Sequence, residues 1–352
     1  MSLMRTSRFV SVGLAAAVVG VLLSGCSAGQ ATPPTKSAAP TPQTVAAPLT
    51  GEQMLPADLK HPALSAKIDN HEAARPQWGL ESTDVVFEEL VEGGLTRYVA
   101  IWHSHVPTTI GPVRSIRPMD PDIITPFGGI VAYSGGQQKF VSMMKDTPIY
   151  NAVHGAGDTE KFMYRTDKKE APHNVLVKAS DLVNAHLDLA APQNMFAFAA
   201  KPAAASAVVA GSPTSAIKVT FSGERFPTWK WDATQGKYLR SQEGKVDPDT
   251  SGKARTATNV ITLTVEISRQ YGYVPKTLLV TKGNGTLSTG GSTMAIKWSK
   301  ANRAAPIVFT DAKGAPVTLA SGNTWIEMPP TYGSVKLVAA PKPVTPTPTP
   351  SK

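Results

Sequence analysis

The chain has 352 residues, with 35 Lys and Arg against 26 Asp and Glu and a net charge of +9. Its 41% hydrophobic and 17% charged content is ordinary for a globular core, and its single cysteine, Cys26, excludes a disulfide within the chain and any cysteine-built metal centre. The charge is divided unevenly: residues 51–200 hold 13 Lys and Arg against 18 Asp and Glu, net −5, whereas residues 201–352 hold 19 against 8, net +11.

Residues 1–25 read as a lipoprotein signal peptide. Arg5 and Arg8 precede an uncharged apolar run over 9–23, and Leu23-Ser24-Gly25-Cys26 has the form of a lipobox. The run is short for a membrane-crossing helix, and acylation of Cys26, by palmitate or a similar chain, would tie the protein to a lipid bilayer. The expected location is the extracytoplasmic face of the bacterial cell membrane. Residues 26–50, rich in Ala, Pro, Thr and Gln, read as a disordered tether that spans roughly 25–30 Å if flexible. In that compartment the basic half points to anionic headgroups or a cell-wall polymer as partner, with plain solubility as the bland alternative. Nucleic acid is not an expected partner.

A strand is expected at 64–68, followed by Asp69-Asn70-His71 and a turn around Pro76. Residues 84–92 and 95–103 then read as a β-hairpin closed by Gly93-Gly94. A two-residue turn puts Leu90 opposite Arg97 and Glu88 opposite Val99, so that Glu88 and Glu92 flank Arg97 on one face. The other face carries Val85, Phe87, Val91, Tyr98, Ala100 and Trp102, with Glu89 among them. A carboxylate on an apolar face needs a cation or donors. Arg114 and Arg117, in the proline-broken loop that follows, are the expected suppliers. The arrangement fits either a structural ion-pair network or a polar pocket for an anionic ligand. Further on come a buried strand at 129–133, the turn Ser134-Gly135-Gly136, a helix over 137–146, a strand at 175–177 and a helix over 181–189 capped by Ser180. Residues 199–213 read as a join.

Beyond the join the pattern is short strands and turns, including a hairpin in WDATQGKYLR, a long strand over 259–267, and strands at 277–281, 307–310, 317–319 and 324–328. The fold class expected is therefore α+β: a mixed α/β N-terminal domain over 51–200, then a mainly antiparallel β C-terminal domain over 214–332. Residues 333–352 read as a disordered Pro/Thr-rich tail. Trp229, Trp231, Trp298 and Trp325 sit on short strands and either fill the core of the second domain or form a sugar-stacking surface.

ARPQWGL, DVVFEELVEGGLTRY, GPVRSIRP, the SGG turn and APHN resemble the N-terminal part of the YerB-like family of bacterial lipoproteins. WDATQGKYLR, the DPDTSG turn and SGNTWIEMPP resemble its C-terminal part. The resemblance covers roughly residues 60–330. It implies an exported lipoprotein in two parts and of unknown function, with no catalytic residues to carry over.

Within those motifs the candidate ligand-binding residues are Arg75, Glu89, Arg97, Arg114, Arg117, Asp120, His173 and Asn174. Guanidinium forks match the oxygens of phosphate, pyrophosphate or a sugar acid. Asp69, Glu89 and Asp120 do not have a spacing that fixes a metal's geometry, so neither metal nor cofactor is expected. Ser134 lies between strand and helix somewhat like a nucleophile elbow, with His173 as a base, but the glycine two residues before it is missing. Asp247 to Gly252 begins like a calcium loop, yet Thr258 stands where a glutamate is wanted, so the segment reads as a turn. The expectation is a non-catalytic, membrane-anchored binding module for an anionic envelope ligand. The alternative is an envelope enzyme acting on a phosphorylated or acidic glycan through the arginine, carboxylate and histidine groups, its catalytic residues unassigned.

Overall fold

The computed structural model describes residues 43–341. Cys26, the signal segment and most of the tether lie outside the described residues, as do residues 342–352. Among the described residues no helix is long and apolar enough to cross a membrane.

The protein is mostly β. In the first half the main strands are β1 (Leu64–Asp69), β2 (Val85–Leu90), β3 (Thr96–Trp102), β4 (Ile130–Tyr133) and β5 (Tyr150–Val153). In the second half they are β6 (Ser212–Thr220), β7 (Thr228–Asp232), β8 (Lys237–Gln242), β9 (Asn259–Leu263), β10 (Lys282–Thr289), β11 (Ser292–Ser299), β12 (Thr324–Glu327) and β13 (Ser334–Ala339). These strands belong to one hydrogen-bonded system whose order from β8 is β8-β7-β6-β11-β10-β9-β12-β2-β3-β1-β4-β5, with β13 pairing β6. The sheet therefore runs from one half of the chain into the other. The junction is a parallel pair: β12 lies beside β2, with Glu327 opposite Glu88.

Central strands carry buried apolar residues on both faces because both faces are covered. Val85, Phe87, Val99 and Ile101 join one core cluster. Val86, Leu90, Tyr98, Ala100 and Trp102 join the other, with Trp229 and Trp325. A fully buried side chain such as Phe87 contributes about 1.5–3 kcal/mol through the water it no longer orders. Trp229, Trp298 and Trp325 are buried and follow the core reading, whereas Trp231 is half-buried at the edge of that core.

Several expectations change. The helices of the first half are too short to make a layer over the sheet. They are α1 (Asp120–Ile124), α2 (Gln138–Lys145) and α3 (Ala179–Asn184). Ser180 falls inside α3 rather than capping it. The folded part begins before residue 51, since Val45–Ala46 pairs with Gln53–Met54 and Leu49 is buried. It also extends past 333, because Ser334–Ala339 is a strand whose exposed residues still complete a ladder with β6. The long strand over 259–267 ends at Leu263, and a separate hairpin, Ile267–Tyr271 with Val274–Thr277, follows. Residues 317–319 make only an isolated bridge to Phe198.

The most consequential change is in the β2–β3 hairpin. Its turn is three residues, Glu92–Gly94, with Gly93 and Gly94 both at positive φ (68° and 73°), a region that glycine enters without a Cβ clash. Val91 therefore faces Leu95, Glu89 faces Arg97 and Glu88 faces Tyr98. A one-residue slip sends every side chain to the other face. Glu88 leaves Arg97 and enters the tryptophan-lined core, whereas Glu89 shares a face with Arg97.

Candidate functional site: an arginine cluster over the sheet

One face of the sheet carries Lys67 and Asp69 on β1, Glu89 on β2 and Arg97 on β3. Register fixes this row, since Arg97 is opposite both Asp69 and Glu89. The loop after β3 lies across it. Val113 bridges to Ile68, the Arg114 amide donates to the Lys67 carbonyl, and the Ser134 amide donates to the Arg114 carbonyl. These backbone bonds set Arg114, Ser115 and Arg117 above the charged row.

Lys67 and Glu89 are fully buried and form an ion pair, and Lys67 also donates to Asp120 Oδ1 at 2.8 Å. Burial pulls the Lys67 ammonium down to about 8, although Asp120 acts to raise it. Asp120 is held in turn by the Arg117 amide, 2.5 Å from Oδ2. The cation that answers Glu89 is thus Lys67, and not Arg114 or Arg117 as the sequence led us to expect. A lysine in the otherwise uncharged run LSAKI was the available signal.

Toward solvent the cluster becomes guanidinium-rich. Arg114 Nε lies 3.2 Å from Asp69 Oδ2, with its side chain 21% exposed. His173 Nδ1 is 2.6 Å from the same carboxylate oxygen, and its ring stacks on His71 at 4.4 Å. Arg117 Nε donates to Glu92 Oε2 at 2.8 Å. Burial raises the Glu92 carboxyl, but Arg117, a local backbone hydrogen bond and Arg97 together bring the net shift downward. Arg97 Nη1 and Arg117 Nη1 both donate to the Ser115 carbonyl, at 2.9 and 3.2 Å. Among the described residues Arg97 has no carboxylate within ion-pair distance. Burial, then Arg117 and Arg114, pull its guanidinium down to about 10.

Of the candidate residues, Glu89, Arg97, Arg114, Arg117, Asp120 and His173 come together here. Two do not. Arg75 faces the second half, pairing with Glu243 at 3.0 Å and with Asn70. Asn174 is used inside a local hairpin, where its side chain accepts from Arg165 at 2.7 Å and donates to the Thr166 carbonyl. Ser134 contributes its backbone carbonyl to Ser115, and the His173 nitrogen that is bonded goes to Asp69. No triad results from these bonds.

A second polar cluster lies on the opposite face, inside the protein. Arg240 on β8 pairs with Glu88 and with Asp247 (2.6 Å), and its guanidinium stands over the rings of Trp325, Tyr98 and Trp229 at 5.2–5.7 Å. Trp229 Nε1 donates to Glu327 Oε1 at 2.7 Å. Burial, and then the neighbouring Glu88, push the Glu327 carboxyl well above the usual range. Arg255 Nη2 donates to Gln77 Oε1 at 3.0 Å, another tie between the halves. Asp247, the first residue of the calcium-like turn, points to Arg240 and Arg255. The sequence reading missed this cluster because its members are scattered from Gln77 to Glu327.

With both clusters in view, the class of protein is defined by its two parts. The chain belongs to the family of proteins of unknown function DUF3048: the family's N-terminal domain matches residues 49–192 and its C-terminal domain matches residues 217–326. The resemblance read from the motifs therefore holds. Among its relatives, the chain is 27% identical over 310 residues to "Putative lipoprotein YerB" of Bacillus subtilis (strain 168), covering 84% of this chain and 89% of that one. A crystal structure of the YerB protein from Bacillus subtilis has the same fold, with a TM-score of 0.70 at 24% identity, over 83% of this chain and 99% of that one.

Proposed function

We propose that this protein is an acyl-anchored envelope lipoprotein that binds an anionic ligand over the Arg97, Arg114 and Arg117 cluster. The anchor reading rests on the lipobox ending at Cys26 and on the description of the Bacillus relative as a lipoprotein. The binding reading rests on one observation: two guanidinium groups, Arg97 and Arg117, crowd onto a single carbonyl with a third arginine close by. Like charges brought together in a half-buried site repel, and an oxyanion seated among them relieves that repulsion while accepting several charge-assisted hydrogen bonds. The chemistry suited is a phosphate or carboxylate group. The net +11 of residues 201–352 supports an anionic polymer of the cell envelope, or anionic headgroups, as the larger partner.

The test uses the detergent-solubilised full chain. Retention on isolated, insoluble cell wall is expected to fall as salt rises. Titration with inorganic phosphate is expected to show binding that Arg117→Ala weakens about tenfold, as the loss of a charged hydrogen bond requires. Salt-insensitive retention, together with phosphate binding unaltered by Arg117→Ala, would remove the reading. Cys26→Ser is expected to move the protein from the membrane fraction to the soluble fraction.

A second reading keeps the same arginines and adds proton transfer. It is favoured by the 2.6 Å contact of Asp69 with His173, which orients the imidazole as a base or acid beside Arg114. Release of phosphate from a phosphorylated glycan, abolished by His173→Ala, is the result it requires.

A further inference from the structure

Helix α1 carries two aspartates that meet different cations. Asp120 answers Lys67 and the Arg117 amide. Asp122 is two residues on, roughly 200° around the helix axis, and faces a separate cleft. Its Oδ1 is 3.1 Å from Arg303 Nε and its Oδ2 is 3.3 Å from Lys276 Nζ. The cleft has a volume of about 540 Å³ and is lined by Asp122, Lys276, Thr281, Arg303 and the 278–280 segment. Asp122 is buried, whereas the Arg303 side chain is 40% exposed.

Cations outnumber carboxylates here. Lys276 and Arg303 share the single Asp122 carboxylate. A third cation, Lys300, stands just behind, giving its ammonium to the carbonyls of Arg303 and Ala305. Burial draws Lys300 down to about 8, and Asp122 is the charge that opposes the shift. Of the charged side chains that line the cleft, two are cations, Lys276 and Arg303, and one is a carboxylate, Asp122. The excess of Lys276 and Arg303 over Asp122 lines an open cleft, where it attracts an anion.

The two cationic centres come from different halves of the chain and are pinned by aspartates on the same short helix. We propose that the Asp122, Lys276 and Arg303 cleft is a second anion site, which takes a further phosphate or carboxylate, several units along, of the same polyanionic chain that is held at Arg97 and Arg117. The inference rests on the anion-binding reading of the arginine cluster. A polymer with repeated charges gains from both centres, because binding at one holds its further anionic groups at high effective concentration near the other. A monoanion gains from one centre only.

The experiment compares inorganic phosphate with long-chain inorganic polyphosphate, at constant ionic strength, on the detergent-solubilised full chain. The key variant is Lys276→Gln with Arg303→Gln. A charge control is Lys218→Gln with Lys230→Gln, which removes the same charge from exposed positions of β6 and β7. The cleft variant is expected to weaken polyphosphate binding at least about tenfold and to leave the phosphate bound at the arginine cluster unaffected. Lys276→Arg should retain most of the wild-type affinity. Equal polyphosphate affinity in the cleft variant, the control and the wild type would overturn the second site. If instead Arg117→Ala leaves phosphate binding untouched while the cleft variant still loses polyphosphate, the arginine reading fails and the cleft stands as an independent site.

Discussion

The hairpin of β2 and β3 separates two charged clusters built from similar residues. On the inner face Arg240, Glu88, Asp247 and Glu327 are all buried, and the guanidinium is hemmed in by aromatic rings. On the outer face the burial is graded, from Lys67 at no exposure to Arg114 at about a fifth. The inner cluster balances its cations with acids and joins the two halves of the chain. The outer one, among the described residues, leaves Arg97 without a carboxylate partner and opens to solvent. Composition alone does not distinguish a girder from a binding surface; the number of partners per charge, and the access of water to them, does.

Breaking the inner cluster is expected to have the largest effect. Arg240→Met leaves Glu88 buried without its cation and Asp247 with Arg255 alone, at a cost of about 3–5 kcal/mol, readable as a loss of stability in denaturant unfolding. Trp229→Phe keeps the ring packing and strands one oxygen of Glu327, with an expected loss of about 1–3 kcal/mol in the same assay.

Glu327 also provides a test in pH. Its folded-state carboxyl is raised, so between the unfolded value near 4.3 and the raised value the native state holds one proton more than the unfolded chain. Stability attributable to this group therefore falls as pH increases through that window, by about 1.4 kcal/mol per pH unit at most. Glu327→Gln should flatten the slope of unfolding free energy between pH 5 and 7 relative to wild type. An unchanged slope would mean that the proton resides elsewhere.

The smallest stability effect is expected on the outer face. Arg117→Ala removes a partly exposed pair with Glu92 and should cost less than about 1 kcal/mol, since solvent screens the pair. The same variant should lose ligand affinity. A large destabilisation by Arg117→Ala with no change in binding would erase the contrast between the two faces.

How far the sequence carried the argument depended on the range of the interactions. The hairpin was legible from its two apolar runs and the glycine pair, because the signal is local. The register was not, since Gly93 and Gly94 accept positive φ equally well in a two-residue or a three-residue turn. That single residue exchanged the roles of Glu88 and Glu89. The proline-broken loop crosses the charged row and brings its own Arg114 and Arg117 to Arg97, Asp120 and His173. Lys67 was passed over because a lone lysine in a strand reads as a solvated side chain until the loop is seen to cover it. Arg240 was invisible as a partner of Glu88, because nothing in WDATQGKYLR specifies a contact with the first half. Strand β13 was hidden by the proline-rich composition that follows it.

The parallel ladder between β2 and β12 has a further consequence. The strand carrying Glu88 and Glu89 is bordered on one side by β3, its hairpin partner, and on the other by a segment from near the end of the folded chain. Until that late segment arrives, β2 presents an open edge of backbone donors and acceptors beside an apolar surface, which is the arrangement that recruits foreign strands. Closing it brings together residues far apart in sequence, a slow kind of event during folding. A chain shortened before residue 324 should therefore aggregate rather than yield a stable first half, and the newly made protein needs its exposed ribbon shielded until the last strands are in place.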